Sequence, residues 1–417
     1  MNPPDDLAIT HCGELLTLAS GGNQPKRRSE MSDLGLVRNG AVAISHGKIA
    51  WVGTQREYRR RGRARREIDA SGKVVMPGFV DPHTHAIFAG SREREWAEKL
   101  RGVPYLEILQ KGGGILNTVQ ATRAASLKSL TERAEKFLKK MLSYGTTTVE
   151  IKSGYGLDLP SELKILKVIE RLADRLPLNL IPTFMGAHAI PKEYSGRTEA
   201  YIDQVIKMIP AVRSRARFCD LFCEEGAFNA DQSRRILEAA KREGFAIKLH
   251  AGEFSDQGGV RLAAEFGAVS VDHLDHISSE EIPLLAESGA VGVLLPGVSH
   301  FLMAKHLPPV RALIEAGVPI ALATDFNPGS SPSLSMQEII HLAVRDFKLT
   351  VAEAISAATI NAAHGIGMGE QIGSLEVGKQ ADILILDLEH HAQLPYFFGV
   401  NHMEKVLKRG KVVYQNR

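Results

Sequence analysis

The chain has 417 residues, of which 44% are hydrophobic and 24% are charged, a composition ordinary for a soluble globular protein. Its net charge of +3 is too small to indicate binding to nucleic acid or a membrane surface, and three cysteines are too few for a disulfide framework. The length exceeds the roughly 250–300 residues at which a single core stops growing, so we expect one large domain and a smaller one.

The first eight residues argue against a secretory leader. They include Pro3, Pro4, Asp5 and Asp6, where a signal peptide would have basic and then apolar residues. No apolar run approaches the ~18–20 residues that span a bilayer. We therefore expect a cytoplasmic protein whose partners include no nucleic acid and no membrane.

Strand-forming residues and turns dominate both ends of the chain. Residues 36–53 contain β-formers that are interrupted by glycine and polar turns, and residues 373–386 and 406–413 repeat the pattern. The sequence therefore predicts a small composite β-sandwich domain built from both termini, from residues 1–75 and 371–417.

The middle of the chain, residues 76–370, alternates between apolar strand-like runs and helical patterns. Strands are predicted near 74–80, 146–152, 179–186, 218–224, 245–250, 268–273, 289–295 and 318–325. Helices are predicted at 126–143, 161–176, 198–209, 231–243, 257–266, 279–288, 309–316, 334–346 and 351–364. Eight strands separated by helices predict an α/β fold with a closed (β/α)8 TIM barrel. An open doubly wound sheet is the alternative, but no Gly-x-Gly-x-x-Gly follows any strand.

Polar residues end several of the predicted barrel strands. His83 and His85 follow the first strand one residue apart, so the period of two predicts that they point to the same side. His250 ends the fifth strand and Asp325 the eighth. Chemistry in such barrels collects at the C-terminal strand ends, and three imidazoles with one carboxylate suit one divalent ion, Zn²⁺ or iron (2+/3+). Such an ion would lower the pKa of a bound water towards about 7.

Four motifs taken together resemble the amidohydrolase superfamily over nearly the whole chain. They are Pro77-Gly-Phe-Val-Asp-Pro-His-Thr-His85, Leu249-His-Ala-Gly-Glu253, the Asp272-His273 pair that ends the sixth strand, and Thr324-Asp-Phe-Asn-Pro-Gly-Ser330. Three further segments, 89–95, 152–157 and 184–189, resemble the imidazolonepropionase family within it. The resemblance implies a (β/α)8 barrel with a composite β-sandwich. It also implies hydrolysis of 4-imidazolone-5-propanoate to N-formimino-L-glutamate in histidine degradation.

The substrate that the resemblance implies is a small planar ring with a propanoate tail. Arg92 is the predicted partner of the tail carboxylate, since the family pattern favours it over the neighbouring Arg94. Tyr155, between two glycines, is predicted to reach inward and bond the substrate through its hydroxyl. The complete predicted substrate-binding set is Arg92, Tyr155, His188, Glu253, Asn327, Gly329 and Ser330.

Three residues are candidates for catalytic proton transfer and polarisation. Glu253 lies three residues after His250 and is expected to exchange a proton with the ring or with the bound water. His273 is expected to polarise the carbonyl or orient water, and a structural contact behind the metal ligands is the open alternative. Asp325 is expected to bind the metal and to accept the proton of the water.

Two other functions fit parts of the sequence. A related metal-dependent nucleobase deaminase would share the histidines, but a neutral base needs no cation such as Arg92. A non-catalytic scaffold would be expected to lack some of the four ligands, and all four are present. Two-metal members of the amidohydrolase superfamily often carry a bridging carboxylated lysine at the fourth strand, which here ends Phe222-Cys-Glu-Glu225 without a lysine. The resemblance therefore favours one metal, although Glu224 could bridge a second. We also expect a homodimer.

Overall fold

The computed structural model describes residues 5–21, 24–102 and 113–416. Its strands, in chain order, are β1 Leu7–Leu16, β2 Leu36–Ser45, β3 Lys48–Thr54, β4 Glu67–Asp69, β5 Val74–Pro77, β6 Phe79–Asp81, β7 Thr146–Lys152, β8 Asn179–Ala187, β9 Phe218–Cys223, β10 Ala246–Ala251, β11 Ser270–His273, β12 Val291–Leu294, β13 Ile320–Leu322, β14 Ile383–Leu386, β15 Met403–Lys408 and β16 Lys411–Gln415. Strands β6 to β13 form one parallel sheet in which each strand pairs with the next along the chain.

Backbone contacts join the last strand of this sheet to the first. The Asp325 N–H donates to the carbonyl of His83, and the His85 N–H donates to the carbonyl of Phe326, both at 3.0 Å. Two residues before His83, the buried carboxylate of Asp81 accepts hydrogen bonds from the backbone N–H and the hydroxyl of Thr324, at 3.1 and 2.6 Å. The sheet is therefore closed, and the predicted (β/α)8 barrel is confirmed.

Helices follow the barrel strands and cover the outside of the sheet. The α-helices are Gln55–Arg61, Glu93–Leu100, Ile115–Ala124, Leu127–Ser143, Leu159–Ala173, Thr198–Val212, Ala230–Arg242, Gly259–Phe266, Glu281–Ser288, Pro296–Phe301, Val310–Ala316, Met336–Arg345, Val351–Ala357, Ile360–Gly365 and Gln393–Tyr396. The predicted helix 351–364 is two helices in the structure. Within the described ranges, no helix combines the length and apolar character needed to cross a membrane.

The helix Leu127–Ser143 illustrates how the sequence forms these elements. Its N-cap is Ser126, whose hydroxyl accepts the N–H of Ser129 at 3.1 Å and satisfies one of the free donors of the first turn. Leu130, Ala134 and Leu138 recur every four residues and are buried on one face of the helix. That face packs on the barrel, while charged residues occupy the opposite face.

The first predicted barrel strand, 74–80, is wrong as a single element. Residues 74–77 form β5 and pair with β1 and β14 in the terminal sheet, whereas β6 begins the barrel at Phe79. Gly78 lies at the change of sheet, where a Cβ would come within 2.3 Å of the Thr147 hydroxyl on the next barrel strand. The predicted domain boundary after residue 75 therefore falls inside β5.

The strands from both termini form one mixed sheet in the order β16-β15-β14-β5-β1-β2-β3, with β4 also paired to β1. Strand β1 is bent at His11, which has a φ of +54°, and its register shifts between Ile9 and Cys12. Because of this bend, one half of β1 pairs with β4 and the other half with β5. The predicted pairing of N- and C-terminal strands is confirmed, and the strands form one continuous bent sheet.

Strand β14 shows how the terminal sheet attaches to the barrel. All four of its residues are buried. Because side chains alternate between the two faces of a strand, both faces of β14 must be covered. Ile383 and Ile385 face the core inside the terminal sheet, whereas Leu384 and Leu386 join the main core of the barrel. The terminal sheet is thus packed against the barrel through an apolar face.

Candidate metal centre

Four side chains meet at the C-terminal end of the barrel, and they are the four predicted ligands. Nε2 of His83 and Nε2 of His85 lie 3.3 and 3.6 Å from Oδ1 of Asp325. Nε2 of His250 lies 3.4 Å from Nε2 of His85. Ligands held about 2.0–2.2 Å from one tetrahedral ion are separated by about 3.3–3.6 Å. Each of these three separations is that of two ligands on one ion.

The unsatisfied atoms of the cluster also fit a cation. Nε2 of His83 and Oδ1 of Asp325 are buried and have no hydrogen-bond partner, which is costly in an interior unless a ligand satisfies them. Burial raises the pKa of the Asp325 carboxyl to about 8, and a neighbouring divalent cation favours its ionised form. The donor set of three imidazoles and one carboxylate therefore fits a divalent metal ion.

His273 is the fifth histidine or carboxylate at this centre. One of its ring nitrogens lies within 4.8 Å of ligand atoms of His83 and His250. Its backbone has a φ of +81° and that of Asp325 has a φ of +47°, in the left-handed region that side chains other than glycine rarely adopt. Such strain persists only where surrounding contacts hold it, and here it falls on two side chains of the site.

Two buried carboxylates support the histidine ligands from behind. Nδ1 of His83 donates to Asp272 at 2.6 Å, and Nδ1 of His250 donates to Asp220 at 3.1 Å. A hydrogen bond on Nδ1 leaves the Nε2 lone pair free for a metal ion, and it fixes the orientation of the ring. The sequence interpretation did not identify Asp220 or Asp272 as part of the site.

A buried lysine neutralises these carboxylates. Nζ of Lys152 donates to Asp220 at 2.7 Å and to Glu150 at 3.0 Å, and it lies 3.5 Å from Asp272. Although burial disfavours its charged form, the three carboxylates raise the pKa of the Lys152 ammonium above its usual value. Lys248, also fully buried, lies 3.7 Å from Asp272. An ammonium group, and not a metal ion, therefore neutralises the carboxylates of Asp220 and Asp272 behind His250.

Glu253 stands beside the cluster with a side chain that is only 12% exposed. Its Oε2 lies 3.5 Å from Nε2 of His273. Burial, followed by the charge of Asp325, raises the pKa of the Glu253 carboxyl well above its usual value. A carboxyl with this environment holds a proton more readily at neutral pH, as a general acid requires.

Tyr155 and His188 form one wall of the site. The His188 ring stacks on His85 with centroids 4.7 Å apart and planes 14° apart, and the Tyr155 ring lies 5.7 Å from His85. Nδ1 of His188 donates to the carbonyl of Gly154 at 3.0 Å, which leaves its Nε2 as an acceptor. Burial lowers the pKa of His188 to about 3 and raises that of the Tyr155 hydroxyl. The pair therefore offers one neutral acceptor and one neutral donor.

Arg92 lies against the loop that follows β13. A Cβ placed on Gly329 would lie 2.0 Å from Nη1 of Arg92, so the guanidinium packs directly on this glycine. Nε of Arg92 donates to Glu95 at 2.8 Å, and Glu95 also accepts the Gly114 N–H at 3.1 Å. The guanidinium is therefore held between Glu95 and the loop that follows β13.

The side chain of Asn327 organises its own loop. Its Oδ1 accepts the N–H groups of Gly329 at 2.7 Å and of Ser330 at 2.8 Å. Its Nδ2 donates to the Asp325 carbonyl at 2.7 Å and to the Ser330 hydroxyl at 2.8 Å. The donors that the sequence predicts for substrate binding are engaged within this turn, which links Asp325 to the surface under Arg92.

The residues that the sequence interpretation missed carry a recognisable signal. Lys248 precedes His250 by two positions, and Asp81 precedes His83 by two, so each pair points to the same side of its strand. Glu150 and Lys152 alternate in the same way on β7. A charged residue two positions before a ligand in an otherwise apolar strand indicates a buried polar layer below the site.

Comparison with known sequences identifies relatives along the full chain. A model of the amidohydrolase family matches residues 74–413. An imidazolonepropionase of Symbiobacterium thermophilum is 50% identical over 417 residues, covering 98% of this chain and 97% of that protein. An imidazolonepropionase of Geobacillus kaustophilus is 49% identical over 414 residues, with coverage of 98% and 97%.

Solved structures share the fold at lower identity. An Escherichia coli guanine deaminase superposes with a TM-score of 0.73 at 17% identity, covering 98% of this chain and 100% of that one. An adenosine deaminase from Xanthomonas campestris with bound zinc gives a TM-score of 0.69 at 23% identity, with coverage of 98% and 93%. These likenesses show that the arrangement of barrel and terminal sheet is shared.

Proposed function

The chain belongs to the amidohydrolase family and, within it, to the imidazolonepropionases, and we therefore propose that it hydrolyses 4-imidazolone-5-propanoate to N-formimino-L-glutamate in histidine degradation. The observation that carries the proposal is the convergence of His83, His85, His250 and Asp325 at the C-terminal end of the barrel, where Asp325 lies 3.3 and 3.6 Å from the first two histidines and His250 lies 3.4 Å from His85. Beside this convergence, Arg92, Tyr155 and Glu253 offer groups for an anionic tail, a carbonyl and a leaving nitrogen.

One divalent ion, Zn²⁺ or iron, is the proposed cofactor of this centre. His83, His85, His250 and Asp325 would hold it, and it would supply Lewis-acid activation of water and of the substrate carbonyl. Asp272 and Asp220 hold His83 and His250 in the ligating orientation through their Nδ1 hydrogen bonds. The absence of a lysine at the end of β9 supports a single ion.

Substrate binding is assigned to the wall and the loop around the centre. The guanidinium of Arg92 pairs with the propanoate carboxylate, a contact that strengthens in a partly buried site. The Tyr155 hydroxyl donates to the substrate, and the free Nε2 of His188 accepts a ring N–H. Asn327, Gly329 and Ser330 shape the surface beside the tail and the carboxylate that forms in the product.

Proton transfer is assigned to Asp325, Glu253 and His273. The water oxygen adds to the ring carbonyl carbon, the carbon–nitrogen bond of the cyclic amide breaks, and the released nitrogen takes a proton. Asp325 accepts a proton from the attacking water, and Glu253 carries a proton to the leaving nitrogen. His273, 3.5 Å from Glu253, donates towards the developing oxyanion.

The test of this function is a comparison of substrates. The purified protein, loaded with Zn²⁺ or with ferrous iron, is incubated separately with 4-imidazolone-5-propanoate, guanine and cytosine, and the ring absorbance is followed. We expect loss of absorbance only with imidazolone propanoate, and restoration of activity by metal after chelator treatment. Ring conversion confined to a nucleobase would instead identify a deaminase.

The Arg92→Ala variant is expected to raise KM by about 10- to 100-fold, because a hydrogen bond to a charged group contributes about 1.5–3 kcal/mol. The metal content should stay at the wild-type value, since Arg92 contacts none of the four ligands. Steady-state kinetics and elemental analysis provide the measurement. Arg94→Ala, an exposed neighbour, is the matched control, and an unchanged KM in Arg92→Ala would assign the tail to another residue.

The Gly329→Ala variant is expected to raise KM by up to about the same factor, since its methyl group would occupy the position of the Arg92 guanidinium. The metal content should again be unaffected. Gly365→Ala is a suitable control because the nearest atom to its new Cβ is 3.6 Å away. Wild-type KM in Gly329→Ala would show that Arg92 can move without loss of binding.

We also propose a cytoplasmic homodimer. The proposal is supported by exposed apolar side chains in one short segment, which is the kind of surface that subunit association buries. Tyr396, Phe398 and Val400 are 74%, 64% and 58% exposed. Light scattering of the eluting protein measures the mass in solution, and a monomer at micromolar concentration would contradict the proposal.

A further inference from the structure

The loop that carries Tyr155 is held by one buried carboxylate that the proposed mechanism does not use. Glu162 is fully buried in the first turn of the helix Leu159–Ala173. Its Oε1 accepts the N–H groups of Gly156 and Leu157, both at 2.8 Å. Its Oε2 accepts the N–H of Gly154 at 3.0 Å. Three backbone donors on either side of Tyr155 therefore converge on a single side chain.

Two glycines let the loop lie directly against the helix that carries Glu162. A Cβ on Gly156 would lie 2.6 Å from the backbone nitrogen of Glu162 and 2.7 Å from its Oε1, so no side chain fits between the loop and the start of the helix. Gly154 has a φ of +95°, a conformation that glycine adopts without strain. Leu157 also has a positive φ, of +56°, although it is not glycine. The hydrogen bonds that the loop N–H groups donate to Glu162 compensate for holding the backbone in this shape.

The other side of the loop contacts His188, which forms one wall of the site together with Tyr155. The carbonyl of Gly154, whose N–H is bound by Glu162, accepts Nδ1 of His188 at 3.0 Å. The Tyr155 ring lies 5.4 Å from the His188 ring. A shift of the Gly154 backbone would therefore move both the Tyr155 hydroxyl and the imidazole of His188.

We infer that Glu162 is a positioning residue for substrate binding, which sets the placement of Tyr155 and His188 by holding the N–H groups of Gly154, Gly156 and Leu157. The inference rests on the proposed function, because Tyr155 and His188 are its substrate contacts. Glu162 is not among the residues that surround the metal, so the metal content is independent of it.

The decisive variant is Glu162→Gln, which keeps the shape of the side chain. Its amide nitrogen cannot accept the Gly154 N–H, so two donors face each other in the buried loop. We expect KM for imidazolone propanoate to rise by about 10- to 100-fold, the factor that corresponds to loss of a hydrogen bond to a charged group. The metal content should match that of the wild type. Glu170→Gln, exposed on the same helix, is the matched control.

A double-mutant cycle with Tyr155→Phe separates positioning from general stabilisation. If Glu162 acts through Tyr155, the double variant should be no worse than Glu162→Gln alone, because the tyrosine is already displaced. Additive effects of the two substitutions would overturn the inference. If Glu162→Gln does not fold, Glu162→Asp replaces it in the same cycle, since its carboxylate is one methylene too short to reach all three N–H groups.

Hydrogen exchange makes the inference testable apart from the substrate. The amides of Gly154, Gly156 and Leu157 should exchange faster in Glu162→Gln than in the wild type, while the barrel strands keep their protection. Unchanged exchange at these amides would contradict the role of Glu162. A wild-type protein that leaves imidazolone propanoate intact, with faster exchange in the variant, would locate the error in the proposed function.

Discussion

Replacing His250 with alanine is expected to remove the metal and the hydrolytic activity together. The substitution leaves His83, His85 and Asp325, and it opens the side of the centre from which the His250 Nε2 points. Three remaining ligands hold an ion weakly, and the lost activation of water corresponds to several kcal/mol, or about 10³-fold or more in kcat/KM. Elemental analysis and steady-state rates of the same preparation measure both quantities.

The interpretation of the His250 variant depends on an intact fold. Asp220 loses its imidazole partner in this variant but keeps the Lys152 ammonium at 2.7 Å, so the buried layer stays neutralised. Circular dichroism should therefore show a folded protein. His46→Ala, an exposed histidine in the terminal sheet, is the control and should keep metal and activity. Normal turnover with metal in His250→Ala would remove His250 from the ligand set.

Replacing Glu253 with glutamine is expected to lower kcat by about 10²- to 10⁴-fold, the range that a positioned general acid or base contributes. The amide has the same shape as the carboxyl but cannot carry the proton to the leaving nitrogen. Since Glu253 is not one of the four ligands, the metal content should remain that of the wild type. Single-turnover and steady-state rates with imidazolone propanoate give the measurement.

A control variant and the kinetic parameter that changes are needed to interpret the Glu253→Gln result. Glu225→Gln changes an exposed carboxylate near the same end of the barrel and should leave kcat unaffected. The loss in Glu253→Gln should appear in kcat rather than in KM, because the interaction operates in the transition state. A kcat within a few-fold of the wild type would transfer the proton to another residue, with His273 the nearest at 3.5 Å.

Periodic patterns were sufficient to predict the main elements. Short apolar runs, separated by helical patterns, identified the barrel strands. Apolar residues four positions apart, such as Leu130, Ala134 and Leu138, identified a helix that packs on them. Both signals concern neighbours along the chain, which the local backbone geometry relates directly. The interruption at Gly78 was missed, because residues 74–80 read as one apolar run whichever sheet they join.

The buried charged residues below the site show what the two-residue alternation along a strand cannot predict. The spacing in β7 and β10 puts Lys152 and Lys248 on the inner face of each strand, as it does for His250. Which carboxylate lies opposite Lys152 depends on how strands β7, β9 and β11 are brought together across the barrel. Asp220 and Asp272 were therefore invisible as supports of His250 and His83.

The sequence by itself determined which side chains point into the barrel and at which strand ends the ligands stand, because a strand alternates its side chains every two residues. Only the tertiary structure decided which residues are in contact: Lys152 with Asp220, Glu162 with the Tyr155 loop, and Arg92 with Gly329. Those pairings join segments separated by up to 237 positions in the chain (329 − 92). They follow from the closure of the barrel and from close packing, which no local pattern encodes.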